Sequence, residues 1–471
     1  MTESGRPLVA AGLLAFLLAA GITHPRVFTA GNDASRWAQI EALVDHGEGA
    51  IDRTSYAWTV DRVEAGGRSY SNKPPLLALG GAALYAGIRS VTPWRLADPA
   101  TRGHVVYLVT LLLVGGAAAG MTVAMARALV ATKVVPAASR ILVLAALVAG
   151  TVAASFTSTF NNHTVAAALL FAGWLASLAG HGARAGLAAG LATGVDLVPG
   201  LGFLPLLAWQ AWRRGGRCAA FRFGAVLLLC GVVLAGSNFV LWGSIWPAKM
   251  IPGARDLSAS FAPSVAGVLL PESWTYPFAA LFGWHGFFSL SPVLLFGVAG
   301  LAAACRRGEG GRPLLDVEAS EARGLAAAIA FQILFHVAVA GSYGGWSYGF
   351  RYLIPVVPFL LLFAPLAMAG WRRSLFALLL VPSVAIAMLG AFHPWPPAFE
   401  QSAGRHPVAG EVTNPVGGNL AALLALRAPE SAAARWAARR FVSPDPAAQE
   451  RYFALFYWSR GEPELARRFR P

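Results

Sequence analysis

Apolar runs recur along this chain, and the longest, such as Val105–Ala126 and Phe223–Val240, approach the length that crosses a bilayer. In lipid a run of about 20 apolar residues has to satisfy its backbone groups internally, so helix is the conformation open to it. The composition agrees: 56% of the 471 residues are hydrophobic and 13% are charged, against about 25% charged in an average soluble chain. The fold class is all-α, polytopic and membrane-embedded. The opening stretch, MTESGRPLVAAGLLAFLLAAGI, has an apolar core short enough for a secretory signal. Because many spans follow, it reads as an uncleaved first helix.

The net charge of +14, from 37 Lys and Arg against 23 Asp and Glu, raises the question of nucleic acid. The arginines sit in short stretches between apolar runs, with no basic stripe interleaved with aromatics, so no nucleic-acid partner is expected and topology accounts for the charge. Cys218, Cys230 and Cys305 lie in or beside spans and far apart, which fits neither a disulfide framework nor a zinc site.

Short basic loops stay in the cytoplasm. Six stretches qualify: Arg6; Arg127, Lys133 and Arg140; Arg184; Arg213, Arg214, Arg217 and Arg222; Arg306, Arg307, Arg312 and Arg323; Arg372 and Arg373. Consecutive stretches then need an even number of crossings between them. Three apolar segments, 8–22, 74–91 and 103–126, separate the first two stretches, so one of them does not span. The segment 74–91 is short, begins with Pro-Pro and carries Gly80, Gly81 and Gly87, so it is expected to lie along the membrane surface. His24 to Arg102, with Lys73, becomes extracytoplasmic. So do Asn161-Asn162-His163, an outward break around Asp196, the loop from about 242 to 285 and the segment GSYGGWSYGFRYL. About eleven spans result, with the N-terminus inside. A transmembrane domain over 1–391, with its loop at 24–102, precedes an extracytoplasmic tail over 392–471. In the tail, Ser443 or Asp445 is placed to cap a helix that has Pro446 early. No internal repeat is evident, which argues against transporters built from repeated halves.

The outer face thus collects Asp33, Arg36, Lys73, Asn162, His163 and Arg351. Each has a plain structural reading as well. Asp33 is placed to cap the helix after it or to pair with Arg36. Lys73 is placed to snorkel and Arg351 to anchor a span end at the headgroups. Asn162 is placed to cap a helix, His163 to sit at the interface, and Asp196 to satisfy a broken helix. Together, however, one carboxylate and several cations at the outer leaflet suit a negatively charged lipid headgroup with a base beside it.

The run NDASRWAQIEALVDHGEGAIDR, followed about twenty residues later by GGRSYSNKPPLLAL, resembles the first extracytoplasmic loop of GT-C glycosyltransferases. The closest likeness is to the family-39-type enzymes related to protein O-mannosyltransferases and lipid A aminoarabinose transferases. Tyr70, Lys73, Pro74, Pro75 and Leu76 match that family's Tyr-x-x-Lys-Pro-Pro-Leu motif, and GGWSYGFRYLIPVVP, with Arg351 at its centre, resembles a later loop. The likeness is specific over residues 27–90, extends to span layout through about 391 and is absent from the tail. It implies a helical bundle with membrane-parallel helices in its first outer loop. It also implies transfer of a sugar from a polyprenyl-phosphate donor to an acceptor hydroxyl at the outer face of the plasma or inner membrane.

Two positions depart from the family. Ala34 stands where a second acidic residue is usual, and FNNHT stands where many members are acidic at the outer end of the third span. Hard cations want carboxylate oxygens, so neither metal nor other cofactor is expected. Asp33 becomes the expected base, Lys73 and Arg351 the phosphate ligands, and Arg36 an orienting group. Asn162 and His163 are expected to contact the sugar, and Tyr70 joins the substrate-binding set through the motif. The rival readings are a lipid-linked sugar flippase or transporter and an inactive homologue serving in a membrane assembly.

Overall fold

A computed structural model describes residues 6–29, 31–132, 135–258, 275–306, 314–339, 347–397 and 414–469. Lys133, Arg307, Arg312 and the GSYGGW part of the glycine-rich segment lie outside them. Four helices among these residues are long and apolar enough to cross a membrane: Arg102–Ala131, Leu197–Trp242, Ala319–Ala338 and Trp371–Phe392. The pair Tyr276–Leu290 and Leu294–Arg306, bent by 97°, would make a fifth span. Length and composition thus establish a multi-pass helical protein, while shorter apolar helices such as Ala137–Ala149 leave the expected eleven crossings uncounted.

The first helix, α1 (Arg6–Ile22), lies against the Arg102–Ala131 helix. Gly12 sits near Val123, Ala19 meets Gly115, and the Tyr107 hydroxyl donates to the Ala20 carbonyl at 2.9 Å. The two therefore run antiparallel. Between them the chain forms α2 (Gly31–Glu41), a β-hairpin and α3 (Leu76–Val91). These pack as one layer around Trp37, Ile40, Tyr85 and Phe160. The hairpin joins β1 (Arg62–Ala65) to β2 (Arg68–Ser71) through Gly66-Gly67, both at positive φ. A two-residue Gly-Gly turn matches the twist of such strands. From far along the chain β3 (Arg255–Asp256) adds to β1, with Glu64 opposite Arg255. This small sheet is an addition to the expected all-helical fold.

Helices α4 (Asn162–Leu178) and α5 (Gly182–Val195) lead to Asp196, where the helix breaks, and then to α6 (Leu197–Trp242). Gly216, at φ 68° and ψ −167°, divides α6 into two helices. Gly200 lies by Thr193 and Arg214 by Gly180, whereas Ala219 lies by Gly182 and Cys230 by Gly190. The chain thus runs down one side of α5, reverses at Gly216 and climbs the other. Arg184, Arg213, Arg214, Arg217 and Arg222 fall at the reversal end, where Arg214 Nε donates to Glu321 at 2.7 Å. Asp196 is at the opposite end.

The last described helices, Pro415–Arg427, Ala432–Ala437, Pro446–Ser459 and Pro463–Arg468, form their own apolar cluster with Tyr452, Phe453, Phe456 and Tyr457. Asp445 caps the third of them, accepting from the Ala447 and Ala448 N–H groups. Of the two residues the sequence offers, Asp445 is the cap.

Candidate active site

Asp33 is 1% exposed near the start of α2. Its Oδ2 accepts the Phe28 N–H at 2.8 Å, and the Trp37 and Thr159 side chains approach the carboxyl as well. Burial pushes the carboxyl up to about 7, against the smaller opposing pulls of the Phe28 N–H and the Arg36 charge. Asp33 therefore neither caps its own helix nor ion-pairs with Arg36. The Arg36 guanidinium turns away: Nη2 donates to Asn162 Oδ1 at 2.7 Å, and Nη1 donates to the Asn32 carbonyl and side chain. Burial first, and Arg351 second, lower Arg36 to about 10, which leaves it protonated at neutral pH.

Asn161 caps α4, taking the Thr164 N–H at 3.0 Å, and this leaves Asn162 free to receive Arg36. One residue on, His163 Nδ1 meets Asp196 Oδ2 at 2.5 Å. The break at Asp196 thus places a carboxylate behind the imidazole, an arrangement that fixes a tautomer.

Lys73 forms an ion pair at 2.8 Å with Asp61, a residue with no place in the sequence motif. Both side chains are less than a fifth exposed. Burial lowers the Lys73 ammonium to about 8, with Asp61 resisting and Lys249 and Arg36 assisting. Burial acts to raise Asp61, but Lys73, Arg351 and Lys249 together outweigh it and hold the carboxyl below its ordinary value. Ser35 on α2 fastens this pair to the Asp33 helix: its hydroxyl donates to the Asp61 carbonyl at 2.6 Å and lies 2.8 Å from the Ser71 hydroxyl. The β3 segment fastens it from the other side. Lys249 pairs with Asp256 at 2.9 Å, and Asn72 Nδ2 donates to Asp256 and Ser258. Tyr70 lies on the face of β2 opposite Ser71, and among the described residues no hydrogen bond joins it to this cluster.

Arg351 is 5% exposed, with its guanidinium 4.7 Å from the Trp395 ring centroid and 5.1 Å from that of Tyr352. Its charge is felt at Arg36, Asp61 and His163. Tyr352 also stacks on His336 and meets His163 edge-on. Six of the seven residues singled out in the sequence thus converge, and Asp61, Asp196, Lys249, Tyr352 and Trp395 join them. Among the described residues, no group of three or more His, Cys, Asp or Glu is arranged to hold a metal ion. Arg36, Lys73 and Arg351 thus lie among Asp33, Asp61 and Asp196.

No protein-family model and no curated protein matches the sequence. Among solved structures, two are similar over nearly the whole of this chain. One is ArnT from Cupriavidus metallidurans in the apo state, at 14% identity and TM-score 0.50 over 99% of this chain and 78% of that one. The other is the same protein bound to undecaprenyl phosphate, at 14% identity and TM-score 0.48 over 100% and 78%. At such low identity a shared fold is what the match establishes. The protein is a multi-pass helical membrane protein with the fold of ArnT.

Proposed function

We propose that the protein is an inverting, metal-independent glycosyltransferase that moves a sugar from a polyprenyl-phosphate-linked donor to an acceptor hydroxyl at the outer face of the membrane. The observation that carries this reading is a fully buried carboxyl, without an ion-pair partner and poised near 7, one helical turn from the buried Arg36, at a site that also gathers Lys73 and Arg351. In the reaction the acceptor oxygen forms a bond to the anomeric carbon and its proton passes to Asp33. The bond from that carbon to the phosphate oxygen breaks, and its electron pair leaves with polyprenyl phosphate. Lys73 and Arg351 face the charge that grows on the phosphate, where preorganised cations count most. Arg36, held by Asn162, completes that positive wall. His163, oriented by Asp196, faces the sugar with Asn162, and Tyr70 keeps the place its motif gives it at the edge. The active site would be extracytoplasmic and the N-terminus cytoplasmic, with the 392–471 segment outside.

Incubation of the purified protein with labelled polyprenyl-phosphate sugars tests the reading. A transferase releases polyprenyl phosphate as sugar appears on the acceptor, whereas a flippase or an inactive homologue leaves the donor intact. Turnover should also survive EDTA. Loss of turnover on chelation, with recovery on adding manganese or magnesium, would refute the metal-free mechanism.

A further inference from the structure

Transfer as proposed draws on no side chain beyond Arg351, yet residues 458–462 grip the segment that donates to Asp33. Residues 24–29 have neither helix nor strand to hold them, and an unsupported stretch of this kind samples many conformations. Its inner side is pinned by the His24 N–H to the Ser158 carbonyl at 3.0 Å and by His24 Nε2 at 2.7 Å from the Ala391 carbonyl. Its outer side is held by the late segment: the Thr29 N–H donates to the Ser459 carbonyl at 3.0 Å, and Arg26 pairs with Glu462 at 2.7 Å. Gly461, at φ 76°, comes so close that a Cβ there would lie 2.6 Å from the Val27 carbonyl oxygen. Between these anchors is Phe28, whose N–H meets Asp33. The same late segment braces the opposite wall, where Arg460 Nε donates to the Phe392 carbonyl at 2.8 Å, three residues before the Trp395 ring that faces Arg351.

We propose that Trp458–Glu462 is a positioning element of the transfer site, holding residues 24–29 so that the Phe28 N–H stays on the Asp33 carboxylate; this rests on Asp33 being the base. A segment that only covered the bundle would require apolar contact. This one instead spends its polar groups on the backbone that flanks the two halves of the site.

The test uses Gly461→Ala and, with the backbone untouched, Glu462→Gln, each in the full chain. Turnover, donor KM and thermal stability against pH are measured, with the Asp33-dependent part of the stability profile taken from matching Asp33→Asn variants. Arg36 and Tyr56, the other titratable groups whose charge reaches Asp33, are unchanged in both. Gly461→Ala should lower kcat at least roughly tenfold, as misplacement of a reacting group does, at unchanged donor KM. The Asp33 transition in the stability profile should move to higher pH, because a lost donor no longer favours the ionised form. Glu462→Gln should do the same to a smaller extent, and it decides the matter if Gly461→Ala does not fold. Normal turnover with an unmoved transition overturns the proposal, as does a joint fall of kcat, KM and stability with an unmoved transition. A moved transition in a protein whose wild type releases no polyprenyl phosphate keeps the positioning and overturns the transferase reading.

Discussion

Burial acts on both Asp33 and Lys73, raising one to about 7 and lowering the other to about 8. A base must be ionised and a phosphate ligand protonated, so kcat/KM should rise as pH passes about 7 and fall as it passes about 8. With donor bound, the phosphate charge supports the ammonium, so the alkaline limb of kcat should lie higher than that of kcat/KM; a profile flat from pH 6 to 9 would contradict both roles. Stability carries the same signature. The Asp33 carboxyl is raised above its ordinary 3.8, so the stability it contributes is complete below that value and lost as pH climbs through about 7. Asp33→Asn should therefore gain on the wild type from pH 5 to pH 8, by about 3 kcal/mol, while turnover falls about 10²–10⁴-fold. Lys73 answers differently because Asp61 depends on it. Lys73→Gln should lose donor affinity and also stability, on the order of 3 kcal/mol, by stranding a buried carboxylate. Adding Asp61→Asn should restore most of the stability and none of the turnover, and Lys73→Arg should be impaired because a planar fork replaces a point charge. The motif made Asp33 and Lys73 legible in the sequence. Asp61 was not, since no spacing ties it to Lys73. The chain has only three lysines, and Lys73 and Lys249, 176 positions apart by their numbers, converge on Asp61.

Helix α5 shows how an element is fixed by what it lacks. Gly182, Gly186 and Gly190 recur every fourth residue, and a Cβ on the first two would strike the Ala219 and Phe223 carbonyl oxygens at 1.9 and 2.5 Å. Small residues at this spacing let two helix backbones meet in lipid, where hydrophobic drive between helices is weak. Gly186→Val should lower the melting temperature by several degrees, whereas Gly224→Val, with nothing within 4 Å of its Cβ, should leave it nearly unchanged; equal melting of the two variants would discount the seam. The apolar runs made most helices legible, and the break at Asp196 could be read from its flanking glycines and proline. The hairpin escaped because its strands are four residues each and rich in charge and serine, so hydrophobic alternation is faint. The pairing of β3 with β1 has no local signature at all, since it joins residues nearly two hundred positions apart.

The whole molecule separates its charges by end. The arginines around Gly216 gather at one end of α5 and α6, and the Asp196–His163 pair that borders the candidate site sits at the other. If the first end is cytoplasmic, native Cys218, exposed beside Gly216, should react with a membrane-impermeant thiol reagent only after permeabilisation. A cysteine placed at exposed Arg53, with Cys218, Cys230 and Cys305 replaced, should react in intact cells. Asn72 is a poorer probe, being 5% exposed and bonded to Asp256. The reverse labelling pattern would invert the protein and remove the donor's access to the site. The grip of residues 458–462 on residues 24–29 also bears on how the protein is born. Thr29 and Trp458, which it joins, are 429 positions apart. During synthesis the stretch preceding Asp33 leaves the ribosome more than four hundred residues ahead of its partner. A nascent chain can thus insert its first helices while the proposed site remains unassembled, and the site is completed only once residues 458–462 have been made.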